Sequence, residues 1–89
     1  MASVITSHEV DQVIHLASLL HPASNQNPPL AIDVNITGQA TVLEAARLFN
    51  LKKIVWASSI VVFGDPAHHC PGPVANDAPH YPANLYAAT

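Results

Sequence analysis

The sequence predicts an α/β fold built around one strand–helix–strand unit. Two short apolar runs, residues 13–17 and 54–56, flank residues 28–49, where apolar side chains recur every three or four positions. Strand and helix patterns that alternate in this way favour a parallel sheet with a helical crossover, which is expected to be right-handed. The carboxyl ends of the two strands then open at one edge of the sheet, which is where ligands bind in open α/β folds.

The first half of the chain is assigned from its apolar pattern and its helix-start residues. Residues 1–10 are weakly patterned and are expected to be irregular, or to be the tail of an element whose beginning is absent. The run VIHLA after Asp11 predicts the first strand, and residues 18–27 are turn-like. Pro28 suits the start of the helix because the first turn needs no backbone donor, and Asn27 is a candidate N-cap. Gly38 costs about 1 kcal/mol relative to alanine inside a helix, which close approach to a strand or ligand would offset.

The most informative segment is KKIVWASSIVVFG, residues 52–64. Its run Ile54–Trp56 consists of β-formers without alternation, which is typical of a strand covered on both faces. Ala57, Ser58 and Ser59 follow, at the sheet edge where polar chemistry is expected. Residues 65–82 are rich in proline and predict a long loop, and residues 83–89 have helical propensity that places Tyr86 near a helix start.

Composition bounds the class of protein. The chain has 89 residues, of which 49% are hydrophobic and only 10% are charged. Ordinary soluble domains have about a quarter of their residues charged, so this composition fits the interior of a larger molecule. A net charge of −3 with three basic residues lacks the clustered cations of a nucleic-acid site. The single Cys70 excludes an internal disulfide, and no signal peptide or bilayer-spanning run is evident. The expectation is a soluble cytoplasmic protein with neither nucleic-acid nor membrane partners.

A serine on a strand end and a tyrosine on the following helix suggest redox chemistry at a carbonyl or alcohol. Each residue has a structural alternative, since Ser59 could end the strand by bonding local backbone and Tyr86 could pack against the loop. Their joint occurrence favours the functional interpretation. Tyr81, between two prolines, is interpreted as a loop residue, and His15 as a core histidine bonded to backbone.

The proline-rich loop also carries histidines and the cysteine, which raises the question of a metal site. Zinc needs tetrahedral nitrogen and sulfur ligands from separated positions. Adjacent histidines such as His68 and His69 rarely meet that need, even with Cys70 and His80 nearby. No metal site is predicted.

Four motifs, in order, resemble the extended short-chain dehydrogenase/reductase family and specifically its NAD-dependent epimerase/dehydratase branch. They are VDQVIHLAS, DVNITGQATVLEAAR, IVWASSIVVFG and PANLYAAT. These resemble the family's fourth strand, the following helix, the fifth strand with its serine turn, and the opening of the Tyr-x-x-x-Lys helix; Phe63 stands where tyrosine is commoner. The resemblance covers roughly residues 10–89. It implies a partial Rossmann-like, doubly wound parallel sheet, comprising one βαβ unit and the start of the catalytic helix.

The resemblance also implies what this sequence does not contain. The family's first strand, its glycine-rich turn and the residue that chooses between NAD and NADP would precede Met1, and the lysine of the tyrosine motif would follow Thr89. The C-terminal substrate domain is missing as well. Residues 1–89 are therefore expected to be a central fragment of the NAD(P)-binding domain, inactive alone.

The resemblance assigns roles to individual residues. In the family, a tyrosinate takes the proton of a substrate hydroxyl while hydride passes to the nicotinamide; Tyr86 holds that position, and Ser59 would bond the same oxygen. Asn35 matches a helix position that supports the active site from behind. The positions that match cofactor-binding segments are Ala17, Ser18, Asn35, Ala57 and Ser58.

The implied activity is that of an NAD(P)-dependent epimerase/dehydratase-type oxidoreductase, with NAD favoured over NADP. The implied substrate is a nucleotide sugar, oxidised by transient hydride transfer, and the implied assembly is a homodimer. Two alternatives stay open. Residues 18–38 also resemble the equivalent region of short-chain L-threonine dehydrogenases, which implies a small-alcohol dehydrogenase; the other alternative is a non-catalytic, truncated binding module.

Overall fold

The computed structural model describes residues 1–89 and contains one two-stranded parallel sheet. Strand β1 is Gln12–His15 and strand β2 is Lys53–Trp56, paired along their whole lengths. At the strand starts, Lys52 N–H donates to the Asp11 carbonyl at 2.7 Å, and the Lys52 ammonium lies 2.9 Å from the Asp11 carboxylate. The predicted βαβ unit is confirmed, with both strands ending at the same edge.

The crossover between the strands is helical throughout but changes its pitch. It consists of α3 (Pro28–Ile32), a π-helical segment (Asp33–Thr37) and α4 (Gly38–Leu48). The Asn27 side chain accepts from the Leu30 N–H at 3.3 Å, which confirms the predicted N-cap. The prediction of one continuous α-helix missed the π segment, where Gly38 N–H donates to the Asp33 carbonyl five residues back. One widened turn barely disturbs an apolar spacing of three or four residues.

Three shorter helices complete the chain. They are α1 (Ala2–Ser7), α2 (Ala23–Gln26) and α5 (Leu85–Ala88), with single 3₁₀ turns at Ile60–Phe63 and Pro66–His68. Of the two interpretations of residues 1–10, the irregular one was wrong, because α1 forms and buries Ile5. A helix of six residues is too short to show a periodic pattern. None of the helices has the length and hydropathy that spanning a bilayer requires.

The buried core is small and made largely of small side chains. Ala31 and Ser24 are completely buried, and Ala87 nearly so, where α2, α3 and α5 meet. Small side chains let these short helices approach closely, which seats α5 on α2 and α3. The Cα radius of gyration is 15.9 Å, against about 12 Å for a compact chain of this length. The architecture is therefore an extended layer and not a sphere.

The expectation that β2 is covered on both faces was wrong for this chain. Val55 is 43% exposed and Trp56 is 52% exposed. Helix α4 packs against β2, but the sheet has only two strands and no second layer lies over the other face. The continuous apolar run predicted the strand correctly and its surroundings incorrectly.

Candidate functional site

The carboxyl ends of β1 and β2 open into a cavity of about 310 Å³, closed on one side by α5. The structure brings all the predicted site residues into its wall. These are Ala17, Ser18, Asn35, Ala57, Ser58, Ser59 and Tyr86. Parallel strands that end at one edge account for the residues from both strand ends, and α5 adds the tyrosine. The chemical roles assigned to these residues remain predictions.

Ser59 follows β2 and begins the 3₁₀ turn Ile60–Phe63. Its Oγ accepts from the Val61 N–H at 3.5 Å, a long and weak bond. The structural alternative, in which Ser59 bonds local backbone, is therefore present, but this bond uses the serine oxygen only as an acceptor. The half-buried hydroxyl keeps its own proton available for a ligand.

Tyr86 is positioned by asparagines that satisfy the free N–H groups at the start of α5. The Asn84 side chain accepts from the Ala87 N–H at 2.8 Å, and the Asn25 side chain from the Leu85 N–H at 3.2 Å. Asn25 belongs to α2, so it fixes α5 against a segment sixty residues earlier in the chain. Sequence reasoning missed Asn25, which carries no local signal beyond its polar surroundings.

Asn35 joins the two sides of the cavity through its side-chain amide. Its Oδ1 accepts from the Leu19 N–H at 2.7 Å and from the Ser18 hydroxyl at 3.2 Å. Its Nδ2 donates to the Leu19 carbonyl at 3.1 Å and to the Thr89 hydroxyl at 2.8 Å. An amide has two acceptor sites and two donors, so these four bonds use it completely. Asn35 therefore holds the strand-end loop against the helices, and it does so from a π segment, a feature frequent at functional sites.

Two other cavity residues were not predicted as part of the site. His15 is half-buried in the wall and its imidazole makes no hydrogen bond to the backbone, so its interpretation as a bonded core histidine was wrong. Gln39, in α4, also lines the cavity, and its Nε2 is buried without a hydrogen-bond partner. No charged lysine, arginine, aspartate or glutamate side chain lines the cavity.

Gly38 has no close neighbour that would explain it. A Cβ at this position would meet only the Asp33 carbonyl oxygen, at an ordinary 3.5 Å. Of the two close approaches that could offset the cost of glycine, the approach to a strand is therefore absent. The approach to a ligand stays a prediction.

Aromatic rings of the proline-rich loop pack against Phe63, in the 3₁₀ turn that follows β2, and against one another. His69 and His80 lie edge-on to Phe63 at 5.9 and 5.4 Å between ring centroids, and His68 stacks on Tyr81 at 4.5 Å. The His69 Nε2 also lies 2.8 Å from the Phe63 carbonyl oxygen. The chain has no group of three histidine, cysteine or acidic side chains that could hold a metal ion. The loop histidines instead pack on aromatic rings.

Comparison with known proteins identifies the family to which the chain belongs. The family model described as "NAD dependent epimerase/dehydratase family" matches residues 1–89. The chain belongs to the NAD-dependent epimerase/dehydratase family. Membership confirms the resemblance inferred from the four motifs and places the βαβ unit in a partial Rossmann-like fold.

Individual relatives of this epimerase/dehydratase chain carry different activities in their names. It is 31% identical over 87 residues to a UDP-glucose 4-epimerase of Lacticaseibacillus casei, covering 97% of this chain and 25% of that protein. It is 42% identical over 65 residues to an uncharacterised epimerase/dehydratase of Staphylococcus aureus, covering 73% of this chain and 20% of that protein. The crystal structure of L-threonine dehydrogenase from Phytophthora infestans superposes with a TM-score of 0.83 at 35% identity, over 99% of this chain and 28% of that one. The chain thus spans about a quarter of the length of these relatives.

Proposed function

We propose that residues 1–89 supply the alcohol-oxidising half of an NAD(P)-dependent epimerase/dehydratase site that acts on a nucleotide sugar. The observation that supports this most directly is the shared cavity of Ser59 and Tyr86. Both side chains are half-buried, and neither hydroxyl proton is donated to a protein acceptor. The similarity to a UDP-glucose 4-epimerase supports the nucleotide sugar.

The two side chains would have different roles in the oxidation of a substrate alcohol. Ser59 donates a hydrogen bond to the substrate oxygen and stabilises the charge that shifts onto it. Tyr86, as phenolate, accepts the alcohol proton. A nearby cation is what favours a phenolate, and no lysine or arginine lines the cavity. The proposal therefore includes that this chain alone does not turn over substrate.

The cavity wall fits the nicotinamide half of the cofactor in its size and its short side chains. Its volume of about 310 Å³ lies at the lower end of ligand pockets. Ala17 and Ala57 present short side chains where the strand ends would pass the cofactor. When bound, the nicotinamide supplies the hydride acceptor. NAD is proposed over NADP.

The test is the kinetic effect of Tyr86→Phe in the native gene product. Loss of a general base lowers turnover by roughly 10²- to 10⁴-fold, so kcat should fall by that order with little change in KM for the substrate. Tyr81→Phe is the matched control, because Tyr81 lies outside the cavity and its ring packing on His68 would be kept. Turnover that survives Tyr86→Phe would remove this residue from the mechanism.

A small-alcohol dehydrogenase is the second candidate, supported by the superposition on L-threonine dehydrogenase. Assays of the native gene product with UDP-glucose and with L-threonine separate the two. Epimerisation without net NADH release favours the first, and net NADH formation from L-threonine favours the second. Cofactor binding with no turnover of any alcohol would support a non-catalytic module.

A further inference from the structure

The hydroxyl of Thr89 connects two elements of the candidate site. Its Oγ1 donates to the Tyr86 carbonyl at 3.0 Å and accepts from the Asn35 Nδ2 at 2.8 Å. A hydroxyl has a single proton, so its one donor bond is made to the backbone of the tyrosine. Thr89 is half-buried in the cavity wall. The proposed base is therefore bonded, through its own carbonyl, to a side chain that the crossover helix holds.

The same set of bonds continues to the loop that follows β1. The Asn35 Oδ1 accepts from the Leu19 N–H at 2.7 Å and from the Ser18 hydroxyl at 3.2 Å. Its Nδ2 donates to the Leu19 carbonyl at 3.1 Å as well as to Thr89. Because both donors and both acceptor sites of the amide are used, it cannot rotate without breaking one of these bonds. One fixed side chain thus holds the loop after β1 against the end of α5.

The other side-chain bonds to α5 act at the start of that helix. Asn25 and Asn84 both cap it by accepting from its backbone N–H groups. Of the side-chain hydrogen bonds that hold α5, only the one from Thr89 reaches the backbone of Tyr86 itself. A helix of four residues is too short to be stable alone, so its geometry depends on such bonds. The orientation of the tyrosine is therefore set at both ends of the helix.

We propose that Thr89 is a positioning residue for Tyr86, which its hydroxyl ties through Asn35 to the loop after β1. The inference rests on the proposed function, in which the Tyr86 phenolate accepts the proton of a substrate alcohol. Thr89 takes no part in that proton transfer, because its own proton is bonded to a backbone carbonyl. It acts by keeping the phenol oxygen within reach of the alcohol. A displacement of the loop after β1 would reach the tyrosine through the same bonds.

The first arm of the experiment is kinetic and uses the native gene product. Thr89→Val replaces the hydroxyl with a methyl group of similar size. Its kcat should fall roughly 10-fold with little change in KM, because misplacing a reacting group by about 1 Å can cost about 100-fold and the remaining caps limit the movement. Thr89→Ser keeps the hydroxyl and should keep wild-type turnover. Thr41→Val is the matched control, because the Thr41 hydroxyl also bonds a backbone carbonyl, that of Thr37 at 2.9 Å, and is exposed outside the cavity.

The second arm needs no turnover and uses the full 89-residue chain. Amide NMR signals are compared between wild type, Thr89→Val and Thr41→Val. Loss of the hydroxyl at position 89 should shift the side-chain amide signals of Asn35 and, beyond them, the backbone amide signal of Leu19. Thr41→Val should leave both unchanged. If Thr89→Val fails to fold, Thr89→Ala removes the same hydroxyl without adding a methyl group, and the same signals and kcat are measured.

The outcomes separate the inference from the proposed function. Wild-type kcat in Thr89→Val, when Tyr86→Phe is inactive, overturns the inference alone. A Leu19 signal that does not move also overturns it, as does Thr89→Ser that is impaired as strongly as Thr89→Val. Wild-type turnover by Tyr86→Phe overturns the proposed function and the positioning role with it. A lower kcat in Thr89→Val, its recovery in Thr89→Ser and a shifted Leu19 signal together support the inference.

Discussion

Substituting Gly64 tests how the end of the 3₁₀ turn Ile60–Phe63 sets the position of α5, the helix that carries Tyr86. Gly64 has φ +73° and ψ −150°, a region that residues with a Cβ rarely enter. A Cβ there would stand 2.0 Å from the carbonyl oxygen of Tyr81 and 3.0 Å from its carbonyl carbon. Gly64→Ala therefore has to displace the loop backbone that leads into α5.

The magnitude follows from two contributions. The disfavoured backbone conformation costs about 1–3 kcal/mol. Moving Tyr81 also breaks the bond from its N–H to the Val62 carbonyl, 2.9 Å long, which is worth about 0.5–1.5 kcal/mol. Together Gly64→Ala should lower the free energy of unfolding by about 1.5–4.5 kcal/mol, a large part of the roughly 5–15 kcal/mol usual for a domain.

Gly72→Ala provides the matched control. Gly72 also has a positive φ, +102°, but a Cβ there would meet nothing within 4 Å. It should show the conformational cost without the collision. Urea unfolding followed by circular dichroism measures both variants, and the backbone NMR signals of Ser59 and Tyr86 report on the cavity. Equal destabilisation by the two substitutions, or unmoved Tyr86 signals in Gly64→Ala, would refute this reasoning.

Two further predictions concern the helix and the strand starts. Gly38→Ala should raise the free energy of unfolding by about 1 kcal/mol, because alanine favours the helix and the new Cβ meets only an ordinary contact; a loss of stability in urea would reveal a packing requirement. The hydrogen bond from Lys52 lowers the pKa of the Asp11 carboxyl. The carboxylate therefore stabilises the fold at pH values above the ordinary pKa of aspartate, and this contribution is lost as pH falls through the lowered pKa. The excess stability of wild type over Asp11→Asn should therefore be present at pH 6 and disappear in acid, as urea midpoints across pH would show; an excess that persists at pH 2 would contradict it.

Local apolar patterns in the sequence predicted the two strands and the helical crossover between them. The two strands were evident from their short runs of β-forming apolar residues, although β2 is half-exposed in this chain, and the crossover was evident from its apolar stripe. The common edge of Ser18 and Ser59 followed from parallel pairing alone. Tyr86 could be placed on a helix, and the family's spacing predicted that it would face the serine.

The rest of the site depends on contacts between residues far apart in sequence. Asn25 caps a helix sixty residues later, and Asn35 reaches Thr89 across 54 residues. The unpaired amide of Gln39 is visible only once every neighbour is placed. Short helices such as α1 and α2 also leave no periodic signal, because one turn or two cannot establish a period.

Neutral amides, and not charges, hold the walls of the cavity together. Asn25, Asn35 and Asn84 make the bonds that fix α5 and the strand-end loop, and none of these groups titrates. At the opposite end of the sheet, the exposed pair Asp11–Lys52 ties the strand starts and is weakened by salt. Ionic strength should therefore act on the strand starts while leaving the shape of the cavity unchanged. Walls held by groups that do not titrate suit the proposed chemistry, in which a proton passes between the substrate and a single phenol, because these amide bonds do not change with that proton.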